Sequence, residues 1–159
     1  MKKLILITGI ATLIYACSGS SENKTSDTAA AETATATETP EEKQAADARG
    51  IGKFTNVEVG ETLDAAMADA GTKVYDVKCA SCHKLTDEKL VGPGWKDVTK
   101  RRTAEWIMNF STNTDEMLEK DAEAQAMLEI CMVRMPNQNL SDEDARTVYE
   151  FMRKNDGIK

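Results

Sequence analysis

The sequence predicts an all-α protein, one small helical domain preceded by a long segment that does not fold. Three observations carry this. Apolar residues between Ile51 and Lys159 recur mostly at helical spacing. Helix-start signals stand at Thr103 and Ser141, and the one run with strand character is the short stretch Phe54 to Val59. Ahead of the domain, Ser18 to Gly50 contains no Val, Ile, Leu, Met, Phe, Tyr or Trp, so it cannot bury enough apolar surface to fold. The chain therefore divides into a leader (1–16), a Ser/Thr/Ala/Glu-rich tether (17–50) and a folded domain (51–159). As a coil, the tether reaches roughly 30 Å r.m.s..

Within the domain, Leu63, Met67, Val74 and Tyr75 outline a first helix that ends at Lys78, expected to relax near Gly71. Thr103 caps a second, in which Trp106, Ile107 and Phe110 share one side. A third runs over Ala122 to Cys131, with Met127, Leu128, Ile130 and Cys131 apolar. The last starts at Ser141, whose followers Glu143 and Asp144 suit the positive end of a helix dipole, and buries Val148, Phe151 and Met152. The domain is poor in aromatics, so an apolar cofactor would complete its core.

Between the first and second helices lies Cys79-Ala80-Ser81-Cys82-His83. The pattern C-x-x-C-H reads as a c-type haem attachment site. Two thiols at this spacing add to the two vinyl groups of one haem, and the adjacent imidazole reaches the iron. One haem c, covalent through Cys79 and Cys82 with His83 as axial ligand, is the expectation. His83 is the only histidine in the 159 residues, so the chain cannot supply a second imidazole. Met135 is the favoured second ligand. It precedes Pro136, which drives it out of helical geometry into a loop. Met132 is its nearest rival, followed by Met127 and Met108; a lysine or a Cys131 thiolate remains open, although the apolar helical position of Cys131 suits a buried structural thiol. A thiol–disulfide site would want a strand-helix-strand setting, which is missing here. A zinc site from Cys79, Cys82, His83 and Cys131 would strain tetrahedral geometry at the adjacent Cys82 and His83.

The leader carries Lys2 and Lys3 before an apolar stretch, Leu4 to Ile14, too short for the ~20 residues of a membrane span. It runs into Ile14-Tyr15-Ala16-Cys17, which resembles the lipobox of bacterial lipoproteins. That resemblance implies cleavage before Cys17 and acylation of Cys17, a membrane-anchored protein in the periplasm. The alternative is an ordinary secretory signal; both place the chain outside the cytoplasm. Ser18 resembles an outer-membrane sorting residue, and the leaflet stays open. With Cys17 given to lipid and Cys79 and Cys82 to haem, Cys131 has no partner for an internal disulfide. Loss of Lys2 and Lys3 takes the net charge from −7 to −9, which disfavours nucleic-acid binding.

Residues 71–155 resemble class I monohaem cytochromes c of the short bacterial type. Gly71, Tyr75 and Cys79 stand four apart, as in that family's first helix, where a glycine and an aromatic pack on the last helix, here at Val148 and Phe151. Val91-Gly92-Pro93-Gly94 resembles the loop whose proline carbonyl accepts the ring N–H of the proximal histidine, which gives Pro93 that role toward His83. Met135-Pro136 followed by Asn139 to Ala145 resembles the distal-ligand loop and terminal helix. The acidic stretch Asp115 to Glu129 and the unpaired Cys131 depart from the pattern. Trp95 and Trp106 are candidates for haem propionates, with packing as the simpler role for each.

These features point to a carrier rather than an enzyme. His/Met ligation fills both axial positions, leaving one-electron exchange between respiratory partners: a quinol-oxidising complex as donor, a terminal oxidase or an anaerobic reductase as acceptor. The alternative is a haem-based sensor or peroxidase with an open or displaceable distal site. From Lys73 to Trp106 the charge balance is +3, and from Ser111 to Glu129 it is −5. A basic side framing the haem edge would steer an acidic partner.

Overall fold

The computed structural model describes residues 48–159, so the leader, Cys17 and nearly all of the tether lie outside the described residues. Six helices follow in order: α1 (Ala65–Lys78), α2 (Val98–Arg101), α3 (Ala104–Thr112), α4 (Thr114–Lys120), α5 (Ala122–Cys131) and α6 (Asp142–Asn155). No strand occurs among the described residues. The one pairing of that kind is an isolated antiparallel bridge between His83 and Lys89. The Phe54–Val59 run is irregular, because its backbone groups bond to side chains of α3 instead of to a second strand.

The helix starts follow from their caps. Thr103 Oγ1 accepts from Trp106 N (3.1 Å) at the head of α3. Ser141 and Asp144 form a reciprocal capping box at the head of α6, where Ser141 Oγ accepts from Asp144 N at 3.0 Å. Asp64 caps α1 through Met67 N, and Asp121 caps α5 through Ala124 N. α5 stops at Met132, whose φ of 57° is left-handed, so the chain is already out of helical geometry four residues before Pro136. The four-residue α2 and the separate α4 carry no clear signal in the sequence pattern. α4 has the charges that suit its ends, with Asp115 and Glu116 in its first turn and Lys120 in its last.

α1 and α6 pack against each other at the centre of the domain. A Cβ on Gly71 would sit 2.0 Å from Thr147 O and 2.9 Å from Phe151 Cβ. Gly71 thus serves close approach, and the expected relaxation is corrected: α1 runs through it unbroken. One turn on, the Tyr75 ring lies 5.1 Å from Phe151 and 5.1 Å from Trp95. Val148 and Met152 are buried in the same core.

The residues just before α1 form a strap that the sequence pattern does not reveal. Asn109, fully buried on α3, accepts from Phe54 N (3.0 Å) and donates to Phe54 O (2.9 Å) and Arg49 O (3.0 Å). Asn113 Nδ2 donates to Ile51 O, and Glu105 Oε1 accepts from Val57 N. At its far end the strap meets Glu150, also fully buried, which accepts from Asp64 N (2.9 Å), Arg146 Nη1 (2.7 Å) and Arg153 Nη1 (2.7 Å). Arg153 in turn donates to Gly60 O at 2.6 Å. Burial alone would push the Glu150 carboxyl up, but the donors from Arg146, Asp64 and Arg153 outweigh it and hold the carboxyl below its ordinary range.

Candidate haem site

The C-x-x-C-H segment continues α1 as a tight turn. Cys79 is the C-cap, and both Cys82 N and His83 N donate to Cys79 O at 3.0 Å. Tyr75 Oη, brought round by one turn of α1, donates to His83 O at 2.8 Å. Val91 N and Gly92 N return to Cys82 O (3.2 and 2.9 Å), and Trp95 N to Lys84 O (2.9 Å), which folds the 84–95 loop back beside the histidine. The loop is close-packed there: a Cβ on Gly92 would lie 2.3 Å from His83 Cε1.

His83 Nδ1 lies 2.9 Å from Pro93 O. A carbonyl only accepts, so Nδ1 carries the proton, and in the neutral ring Nε2 keeps its lone pair. Burial pushes the His83 pKa down against the smaller upward pull of the Pro93 carbonyl, which favours that neutral ring. The resemblance-based assignment of the Pro93 carbonyl is thus realised as a hydrogen bond.

An apolar cavity opens beside His83 in two lobes that share His83, Pro93, Phe110, Met127 and Met135. Cys82, Leu128 and Cys131 belong to the first lobe, and Trp95, Arg101, Arg102 and Trp106 to the second. Cys79 is buried in the core and does not line either lobe. Burial, and then the neighbouring Cys82, push its thiol up to about 11. Such a thiol is a poor thiolate donor for disulfide exchange, whereas a thioether there carries no charge to desolvate. Among the described residues no group of three or more His, Cys, Asp or Glu side chains is placed to hold a metal ion.

The candidates for the second axial position now separate. Met135 lines both lobes, as does Met127. Met132, the nearest rival on sequence, is 82 % exposed and lines neither, because its left-handed backbone turns it out to solvent at the end of α5. The strongest rival is therefore Met127. Met108 is buried in the core, away from both lobes, and no lysine lines either. Cys131 borders the first lobe and is half-buried. Ile130, expected on the apolar face of α5, is instead 68 % exposed. Trp106 donates its indole N–H to Asp121 Oδ1 (3.3 Å), which leaves Trp95 as the cavity-lining indole without a protein partner among the described residues.

An apolar slot, a C-x-x-C-H turn against it, an imidazole with its outer nitrogen satisfied, and a thioether facing the same space define a helical haem-binding domain of the c type. The comparisons agree. The family model described as cytochrome c matches residues 68–156. The cytochrome c from Rhodothermus marinus is similar at 35% identity, with a TM-score of 0.67 over 70% of this chain and 96% of that one. An engineered cytochrome c from the same organism is 34% identical with a TM-score of 0.66, and its form bound to a carbene intermediate is 34% identical with a TM-score of 0.64. Both comparisons again cover 70% of this chain and 96% of the other. No curated protein matches. This chain belongs to the cytochrome c family, with an all-α cytochrome c fold and one covalent haem c held through Cys79 and Cys82.

Proposed function

We propose that this protein is a membrane-anchored monohaem cytochrome that passes single electrons between respiratory partners, with His83 and Met135 as its axial ligands. One observation carries the ligand reading: His83 and Met135 both line the two lobes of one apolar cavity, while Nδ1 of His83 is committed to Pro93 O. Bound haem c would supply a one-electron iron couple, with His83 and Met135 as the residues to hold it, and a thioether ligand would raise its potential. The chain's own residues do the rest. Tyr75 and Pro93 fix the position and tautomer of His83, and Phe110, Leu118 and Leu128 keep water from the slot. Met135 is preferred to Met127 because it is offered from a loop, whereas Met127 is held within α5.

The test is the visible spectrum of the exported holoprotein, oxidised and reduced, with and without carbon monoxide. Low-spin iron, a methionine–iron charge-transfer band when oxidised, and only slow carbon monoxide binding with no prompt shift are expected. High-spin iron or ready carbon monoxide binding would transfer the reading to a sensor or peroxidase.

For the anchor, the support is the lipobox-like run ending at Cys17. Several acyl chains hold a protein on a membrane where one would not. Cys17→Ala should therefore move the holoprotein from the membrane fraction to the soluble one; retention on membranes would remove the anchor.

For the partner, the support is charge. Lys84, Lys96, Lys100 and Arg102 are neutralised by Glu88, Asp87, Asp97 and Glu123, whereas Lys78, Lys89 and Arg101 make no ion pair among the described residues. Arg101 lines the second lobe, and Lys89 stands beside Cys131 and Ile130 in a depression next to the first. Of these free cations, Arg101 and Lys89 stand at or beside the cavity and suit an acidic redox partner. Electron-transfer rates should fall as ionic strength rises. Rates indifferent to salt would sink the steering idea.

A further inference from the structure

The two sides of the cavity are built differently. On the histidine side, backbone hydrogen bonds run from His83, Val91, Gly92 and Trp95 into the 79–84 turn. On the methionine side, residues 133–140 make no backbone–backbone hydrogen bond to the rest of the domain among the described residues. The loop bonds to itself through Asn137 and Gln138. Its polar ties to other elements are two. Lys78 Nζ reaches Gln138 O at 3.4 Å, a marginal contact. Arg134, the residue before Met135, donates through Nη2 to Asp115 Oδ1 (3.0 Å) and Asp115 O (3.3 Å) on α4, with Glu119 Oε1 at 3.7 Å one turn further along. Arg134 also borders the first lobe of the cavity.

We infer that Arg134 is a positioning residue for the distal ligand: its ion pair with Asp115 and Glu119 docks the 133–140 loop on α4 and keeps Met135 facing the haem cavity. This gives a purpose to part of the acidic segment that departs from the family pattern. α4 presents two of its acids, Asp115 and Glu119, where the loop has a cation and no backbone ladder. The inference rests on the reading of Met135 as distal ligand. Arg134 is 46 % exposed on its side chain, so the pair is a surface one. Surface pairs contribute ~0.2–1 kcal/mol, and with tenfold per 1.4 kcal/mol that is roughly a 1.4- to 5-fold change in how often Met135 leaves the iron.

The experiment measures the carbon monoxide association rate of the ferrous holoprotein, together with the oxidised charge-transfer band and the denaturant midpoint. Arg134→Gln and the double variant Asp115→Asn/Glu119→Gln should each raise the rate by up to about five-fold, with the denaturant midpoint nearly unchanged. Combining all three substitutions should add little, because one interaction is being removed twice. Arg134→Lys should recover much of the wild-type rate. An unchanged rate in Arg134→Gln, or effects of the acids and the arginine that simply add, would overturn the latch. Met135→Ala separates the two failures. If it binds carbon monoxide readily while Arg134→Gln matches wild type, the ligand reading stands and the latch is wrong. If Met135→Ala binds no faster than wild type, Met135 is not the ligand and the latch falls with it.

Discussion

At the scale of single residues, chemistry is divided between groups that are held and groups that are merely offered. His83 is buried and tied at its backbone carbonyl by Tyr75 and at its ring by Pro93. A neutral imidazole with a fixed tautomer is the form a metal ion requires, and outer-shell hydrogen bonds of this kind set both orientation and basicity. Met135 has no such fixing at its own backbone. If Met135 is the distal ligand, as proposed, its thioether would have to find the iron through packing in the cavity and through its neighbours. Met135→Ala should consequently open the iron, abolish the charge-transfer band and raise peroxidase-like side reactivity, while Met132→Ala, at a solvent-facing position, should leave the spectrum as it is. Recording the oxidised spectrum and carbon monoxide binding of both variants decides it, and Met127→Ala belongs in the set because Met127 lines the same two lobes. If Met127→Ala alone opens the iron, the ligand comes from α5.

Elements set where these residues stand. α1 carries Tyr75 and delivers the haem-binding turn, and it does so in register with α6 because Gly71 lets the two backbones touch. A methyl group has nowhere to go there: its nearest neighbour is the carbonyl of Thr147, which is backbone and cannot swing aside. Gly71→Ala should destabilise the holoprotein by about 1–3 kcal/mol, the range for overpacking a close contact, despite alanine's better helix propensity. Denaturant unfolding checks it; a neutral or stabilising result would mean that α1 and α6 can separate freely. α3 and α4 have a double duty. They supply Phe110 and Leu118 to the cavity, and on another side the buried Asn109 and Met117, with Asn113 at the junction between the two helices, take the strap.

For the whole molecule, the strap and the Glu150 cluster join the two ends of the domain. Leu63 N donates to Lys159 O, and Glu150 bonds to Asp64 beside its two arginines. Because the folded state lowers the Glu150 pKa from its ordinary 4.5, the stability it contributes is full above that value and is lost as pH falls through the lowered one. Glu150→Gln should cost about 3 kcal/mol at neutral pH, since it leaves Arg153 and Arg146 without their buried counter-charge. The gap to wild type should close as the pH is taken below 4.5. Denaturant midpoints at neutral and acid pH test this. A gap that stays constant with pH would show that Glu150 acts by shape and not by charge.

Much of this architecture was legible along the chain. Haem attachment needs its thiols and imidazole at fixed local spacing, so Cys79, Cys82 and His83 declare themselves without a fold. Helix starts are likewise local: Thr103 and Ser141 each cap a backbone donor three residues away, and α5 spans the residues its pattern indicates. The Pro93 carbonyl was reached only by resemblance, because Gly92-Pro93-Gly94 alone is equally a turn. The strap left no sequence signal, since its bonds are between irregular backbone and the side chains of Asn109 and Glu105, more than forty residues away. Met132 and Met135 are three residues apart and chemically identical, and only the left-handed turn at the end of α5 sends one to solvent and the other to the cavity. By itself the sequence determined the covalent cofactor and the helical class and named His83 as the candidate proximal ligand, because each depends on contacts a few residues long. The tertiary structure decided which methionines face the cavity, which cations stay unpaired beside it and which acids meet Arg134 of the 133–140 loop, because those depend on how distant helices cross.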